Sequence, residues 1–244
     1  MYAYLCDSMI SQPSKRLSSD ERREAIIRAA LKVFSERGFH GSTTKALALE
    51  AGVSEALIFR HFPSKDELYT AMQMECCRAK HTPAAEEMMA LEPSTSSLVT
   101  MVHYFMAKML RPPQRRSQEE NSLYRLMLHS FSEDGEFARG FMRHVGDGMI
   151  NQLKACIDAA GQAGDLSDTP VGTPALRAWL AQHLAGMLML NELPGRPVVD
   201  MGVSYAELVE QSTWFALRGI GVRDEAIKRH YNPKAFAMLM GSEG

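Results

Sequence analysis

The segment GVSEALIFRHFPSKDEL, residues 52–68, places Arg60, His61 and Lys65 beside two serines, Ser54 and Ser64, that stand ten residues apart. A guanidinium, an imidazole and an ammonium can each hold phosphate oxygens, and the planar fork of Arg60 can also pair with a base edge. Each serine suits the start of a short helix, whose free amides attract anions as well. This is binding chemistry. The chain carries no catalytic motif: it has no G-x-S-x-G, no phosphate-cradling glycine loop, no H-E-x-x-H and no paired carboxylates recurring beside a histidine. No catalytic residue is assigned and an enzyme is not expected.

Composition narrows the class further. With 244 residues and 45% hydrophobic side chains, the chain can bury a large core in one domain or two. Its longest apolar runs, such as FAMLM near the C-terminus, fall far short of the ~20 residues a membrane span needs, so no membrane partner is expected. The first ten residues lack the basic start, apolar stretch and small-residue cleavage site of a secretory signal, and a cytoplasmic location is expected. Cys6, Cys76, Cys77 and Cys156 show neither C-x-x-C nor zinc spacing and read as free thiols, the adjacent Cys76 and Cys77 being either plain buried residues or a redox sensor. His103, His129, His144 and His183 fall on different expected helices without ligand spacing, so no metal or cofactor is expected. The formal charge is −2, yet residues 1–80 carry 12 basic against 10 acidic groups and residues 81–244 carry 15 against 19. The N-terminal third is the end better suited to a polyanion.

The elements that must position these groups are helical throughout. Residues 1–17 show no periodicity and read as a flexible arm. Ser18 and Glu21 fit a capping box opening a helix over 19–37, with Ile26, Ile27, Ala30, Leu31 and Phe34 at helical spacing and Gly38 as a left-handed stop. Thr43 caps a short second helix that turns Leu47, Ala48 and Ala51 inward and ends at Gly52. Ser54 caps a third of about two turns, with Ile58 and Phe62 inward, which Pro63 stops. Ser64 and Glu67 read as a second capping box, opening a fourth helix through Leu68, Met72 and Cys76. Beyond Pro83, helices are expected near 97–110, 118–131, 136–162, 174–191 and 203–219, separated by turn-rich segments.

A short helix, a glycine turn and a second short helix form a helix-turn-helix, whose second member fits the major groove, about 12 Å wide. With Ile58 and Phe62 inward, Glu55, Ala56, Phe59 and Arg60 remain outside, and Lys65 joins the free amides of the next helix start for one phosphate. The run REAIIRAALKVFSERGFHGSTTKALALEAGVSEALIFRHFPSKDEL, about residues 23–68, resembles the TetR family of transcriptional regulators. The resemblance rests on an amphipathic first helix, then GF, TT, LALEAGVS and HFPSKDEL in that order. It implies an all-α fold: a flexible arm (1–17), an N-terminal three-helix bundle with the helix-turn-helix (18–64), and a larger C-terminal helical domain (65–244) for ligand binding and dimerisation.

The resemblance also implies roles. Thr43, Thr44 and Lys45 match positions that approach the DNA backbone, Ser54, Glu55, Ala56, Phe59, Arg60 and His61 belong to the recognition helix, and Lys65 matches the family's lysine after it. Three positions depart from the pattern: Glu55 replaces a basic or neutral residue, Leu57 a small or hydroxylated one, and Phe59 a tyrosine. Leu57 either touches a thymine methyl or joins the core. These departures keep open an alternative, a ligand-binding TetR-like protein without specific operator binding.

The implied function is that of a ligand-responsive regulator, a repressor that binds a palindromic double-stranded operator as a homodimer and is released by a small, largely apolar effector. Dimerisation is expected through the last two long helices. Leu176, Leu180, Leu184, Met187 and Leu188 stripe one, and Leu208, Val209, Ser212, Phe215, Ala216, Gly219 and Ile220 the other, facing either a partner or the chain's own core. Seventeen methionines suit a pocket that reshapes around an apolar ligand. Met101, Phe105, Met109, Tyr124 and Met127 are candidate lining residues, with Phe131, Phe141, Trp179 and His183.

Overall fold

A computed structural model describes residues 17–79, 82–233 and 236. The arm expected before residue 17, Cys6 and most of the FAMLM run lie outside the described residues.

The N-terminal helices begin where the serines and threonine are. Helix α1 (Ser19–Arg37) opens on a complete capping box, Ser18 Oγ accepting from the Glu21 amide at 3.1 Å while the Ser18 amide donates to Glu21 Oε2 at 2.7 Å. Thr43 caps α2 (Thr44–Ala51), Ser54 caps α3 (Glu55–His61), and Gly52 turns the chain between them at φ 64°, a left-handed conformation that glycine adopts freely. Gly38 also has positive φ, 67°, but with ψ 176°, so it ends α1 in an extended glycine conformation and not in the left-handed helical one expected.

The second box is half formed. Ser64 Oγ accepts from the Glu67 amide at 3.1 Å at the start of α4 (Lys65–Arg78), without a return bond. Backbone conformation explains it: Ser18 sits at φ −60°, which aims its amide over the first turn, whereas Ser64 sits at φ −141°, which rotates the amide away.

The chain continues through α5 (Pro83–Met89), α6 (Thr95–Leu110), a 3-10 turn (Pro113–Arg115), α7 (Gln118–Ser132) and α8 (Glu136–Phe141). After a π-turn (Met142–Gly146) come α9 (Asp147–Gln162), α10 (Pro174–Glu192), α11 (Tyr205–Ile220) and α12 (Asp224–His230). The single helix expected over 136–162 is therefore two helices joined by a π-turn. Gly146 ends that turn with its Cα facing Met142 and Trp179, where an added Cβ would lie 3.3 Å from Met142 Sδ. The seven-residue helices α5 and α12 had no counterpart in the periodicity, being too short to show one. Among the described residues there is no strand, only an isolated bridge between Leu166 and Val222.

Two apolar cores organise the chain. The first gathers Phe34, Leu47, Ile58 and Met72 from the N-terminal helices with Leu126 and Phe137 from α7 and α8. The second is built by α6, α9, α10, α11 and α12 around Leu98, Met106, Ile157, Ala185 and Leu217. The first core thus runs without a break from α1–α3 through α4 into α7 and α8.

Asp165 pins the far end. Its Oδ2 accepts from Thr95 Oγ1 at 2.6 Å, its Oδ1 accepts from Arg229, and its backbone carbonyl accepts from the Arg223 amide at 2.9 Å. The Thr95 hydroxyl first, then the Arg229 guanidinium, hold the carboxyl below the ordinary Asp value. A folded pKa below the unfolded one means stability that is present above the ordinary Asp range and fades as pH falls through the folded value. Asp165→Asn is expected to cost about 1–3 kcal/mol at neutral pH and to flatten the loss of stability below about pH 4. Urea unfolding across a pH series checks this, and an unchanged pH slope would contradict it.

Candidate nucleic-acid interface and its helical partner domain

Helix α3 buries Ile58 and Phe62, each 2% exposed, and leaves Ser54, Glu55, Ala56, Phe59 and Arg60 on its outer side. Leu57 and His61 are half-buried at the edges of that face. On α2, Thr43 and Lys45 are exposed and Thr44 is half-buried. Neither Lys45 nor Arg60 has a carboxylate partner among the described residues, so both cations are available to phosphates or base edges without first breaking an ion pair. Glu55 stands in the exposed first turn of α3, where the helix dipole favours a carboxylate.

Lys65 is more committed than its spacing suggests. Its Nζ donates to the Phe39 carbonyl at 2.9 Å and the Ser42 carbonyl at 3.1 Å, and lies 4.1 Å from the centre of the Phe39 ring. Two of its three N–H groups therefore tie α4 to the α1–α2 turn, leaving one for a phosphate. Phe39 continues into an edge-to-face group with Phe34, Tyr69 and Phe137, which joins that turn to α8. Gln73 on α4 donates to the Phe137 carbonyl at 3.0 Å, a second link between the same helices.

The nine candidate lining residues are brought together only in part, Met109 meeting both the second core and Tyr124. Met101 lies in the second core, with Phe105, Met109 and Trp179 packed against it. Met127 and Phe141 belong to the first core. Tyr124 forms a small cluster with Met189 and Leu193, while Phe131, 62% exposed, and His183 face outward. Helical spacing of methionines and aromatics marks buried faces whether or not they enclose space.

A cavity of about 480 Å³ lies elsewhere, between α1, α4 and the start of α7. Ile27, Leu31, Met72, Cys76 and Leu123 form its apolar floor. Its rim carries the pairs Glu24–Arg28 and Glu75–Arg78, together with Lys108 and Glu119. Sequence reasoning missed it because such a rim is indistinguishable from an ordinary solvated helix face.

His103 stacks on Phe236 at 4.2 Å with Nδ1 3.2 Å from the Tyr231 hydroxyl, and burial draws its pKa down to about 4, leaving a neutral ring. Cys76 and Cys77 are buried and burial pushes the Cys77 thiol up, which disfavours the thiolate a redox sensor needs. Among the described residues no group of three or more His, Cys, Asp or Glu could hold a metal ion, and no helix is long and apolar enough to cross a membrane.

The stripes on the last long helices divide. On α11, Val209, Ser212, Ala216 and Ile220 are buried in the chain's own core, while Phe215 is 68% exposed. On α10, Ala178, Ala181 and Ala185 are buried, and Leu176, Leu180 and Met187 are exposed. An apolar row thus stands uncovered on these two helices.

Residues 26–72 match the family model of the tetR bacterial regulatory proteins, and this part of the chain is a tetR-family helix-turn-helix unit. Over 57 residues the chain is 46% identical to the HTH-type transcriptional activator FasR of Mycolicibacterium smegmatis, covering 23% of this chain and 26% of that protein. Over 51 residues it is 45% identical to the HTH-type transcriptional regulator RutR of Escherichia coli, covering 21% and 24%. The chain thus spans about a quarter of the length of these curated relatives. The fold as a whole is shared with solved transcriptional regulators: a putative transcriptional regulator from Saccharomonospora viridis, solved with choline, aligns with TM-score 0.61 and 19% identity over 84% of this chain and all of that one. The regulator FadR from Bacillus subtilis, solved with stearoyl-CoA, aligns with TM-score 0.55 and 16% identity over 80% and 98%.

Proposed function

We propose that the chain is a ligand-responsive repressor that binds a palindromic operator as a homodimer. The observation that carries this reading is the outer face of α3, where Arg60 stands exposed and unpaired one helix away from the equally unpaired Lys45. Residues 18–64 supply the DNA contacts and residues 65–244 supply dimerisation and effector binding. The uncovered row on α10 and α11 is the surface through which two copies pair, giving the isologous geometry that a palindrome matches. A DNA target places the protein in the cytoplasm.

Release works through α4. It carries Lys65 against the α1–α2 turn and Gln73 against α8, and its Met72 and Cys76 floor the cavity. A largely apolar effector that favours a displaced α4 changes the spacing of the two α3 helices, and DNA and effector oppose each other by the same factor, typically ~1–3 kcal/mol.

Arg60→Ala is the direct test. Retention on the DNA upstream of the protein's own gene should weaken, and the slope of log affinity against log salt should fall by about one for each phosphate that the variant no longer neutralises. Arg60 suits this test better than Lys65, whose loss would also open the α1–α2 turn. A second reading, a ligand-binding protein of this fold without specific operator recognition, is favoured by the exposed Glu55, which repels phosphates. It predicts no change in retention for Arg60→Ala.

A further inference from the structure

Arg116 is a buried guanidinium that the fold only partly uses. The residue is 7% exposed. Its Nη2 donates to the Met109 carbonyl at 2.9 Å, answering one of the last carbonyls of α6, while Tyr205 answers that of Ala107. That bond is a C-terminal cap and accounts for one edge of the side chain. Nε and Nη1 are buried with no partner, and no carboxylate among the described residues lies within ion-pair distance. Glu120 and Glu192 are near enough to be felt but not to touch, and burial draws the Arg116 pKa below its ordinary value.

What surrounds it is soft and apolar. The guanidinium carbon lies 5.2 Å from the centre of the Tyr124 ring, and Tyr124 packs with Met189, Leu193 and the half-buried Met109 and Leu190. Thioethers on unbranched side chains are the groups best able to move aside for a guest. One turn on, Asn121 donates to the Pro113 carbonyl at 3.1 Å but leaves Oδ1 buried and unanswered, a second incomplete polar side chain in the same stretch. The 480 Å³ cavity is a separate space: Lys108, Ser117 and Leu123 line it, whereas Met109, Arg116 and Tyr124, next to them in sequence, do not.

Arg177 is a useful contrast. That guanidinium, 5% exposed, donates to the Ile220 carbonyl at 2.6 Å, lies against the Gly221 turn and leaves only its Nε buried without a partner. Arg116 has two unanswered nitrogens and a wall of methionines. A buried charge is stable where an opposite charge meets it, and an anionic group is the partner that two N–H donors in an apolar setting select.

We propose that Arg116 is the anchor of an interior anion site and that its ligand is an apolar molecule bearing one carboxylate, whose body displaces Met109 and Met189 beside Tyr124. The proposal rests on the effector reading and adds the charge of the ligand to it. An uncharged head could accept a hydrogen bond from the orphaned nitrogens but would leave the guanidinium charge unmatched.

The test uses the full chain with decanoate and naphthoate, each against its primary amide. At about a hundredfold over Kd, a bound carboxylate should raise the melting temperature by about 5–10 °C, while the matching amide at the same concentration should shift it far less. Arg116→Gln should weaken the carboxylate response at least tenfold while helicity by circular dichroism stays. Equal responses to acid and amide, no response to any of the acids, or a carboxylate response that survives in Arg116→Gln overturns the proposal. Should Arg116→Gln fail to fold, the acid-against-amide comparison on the unaltered chain decides alone. Release from DNA is read separately: binding of the acid without release upholds the anion site and removes the effector reading, whereas release by the amides alone overturns the site and keeps that reading.

Discussion

Phe34→Ala is expected to remove about 3–5 kcal/mol of stability, the range for deleting a buried phenyl ring. Phe34 is fully buried, meets Tyr69 edge-on at 5.0 Å and stacks with Phe39 at 5.9 Å. It lies in the first core, which also holds Phe137 of α8, so its loss empties the point where the α1–α2 turn, α4 and α8 converge. Against a total of roughly 5–15 kcal/mol for an ordinary domain, a variant this damaged unfolds at a much lower urea concentration. A shift in the urea midpoint equivalent to less than about 1 kcal/mol would show that this core is not shared as described.

The second large effect concerns assembly. Phe215→Glu together with Leu180→Glu should leave the folded monomer nearly as stable as before, within about 0.5 kcal/mol per site, because both side chains are exposed. The same pair should separate the proposed homodimer, since two charges per chain would face their own copies across an apolar row. Operator affinity should then fall by about 10²–10⁴-fold, the advantage that disappears when two linked half-sites are bound independently. Sedimentation and band-shift measurements on one preparation check both halves, and a dimer that persists would contradict the interface.

The N-terminal part was legible because its signals are local. Ser18, Thr43, Ser54 and Ser64 each cap the helix that follows, and Gly52 and Pro63 mark turns that physics allows few other residues to make. The inward and outward sides of α3 followed from Ile58 and Phe62 being four residues apart. What escaped depends on partners distant in sequence. Lys65 reads as a free cation until Phe39 and Ser42 are seen to take two of its hydrogens. Met127 and Phe141 read as pocket residues, and their place in the core shared with the N-terminal helices depends on partners far along the chain. The burial of Arg116, a residue in a basic run RPPQRR, has no signal in sequence at all, since charged residues flanking prolines are ordinarily solvated.

Selection of duplexes from a random pool by the purified full-length chain addresses the central claim most directly, because it asks what two projecting α3 helices can grip without presupposing a site. The account predicts an enriched inverted repeat whose half-sites are centred about one helical turn, 10–10.5 bp, apart or a multiple of it, with enrichment lost in Arg60→Ala. Recovery of no common sequence, or of a single unrepeated site bound by one chain, would contradict it.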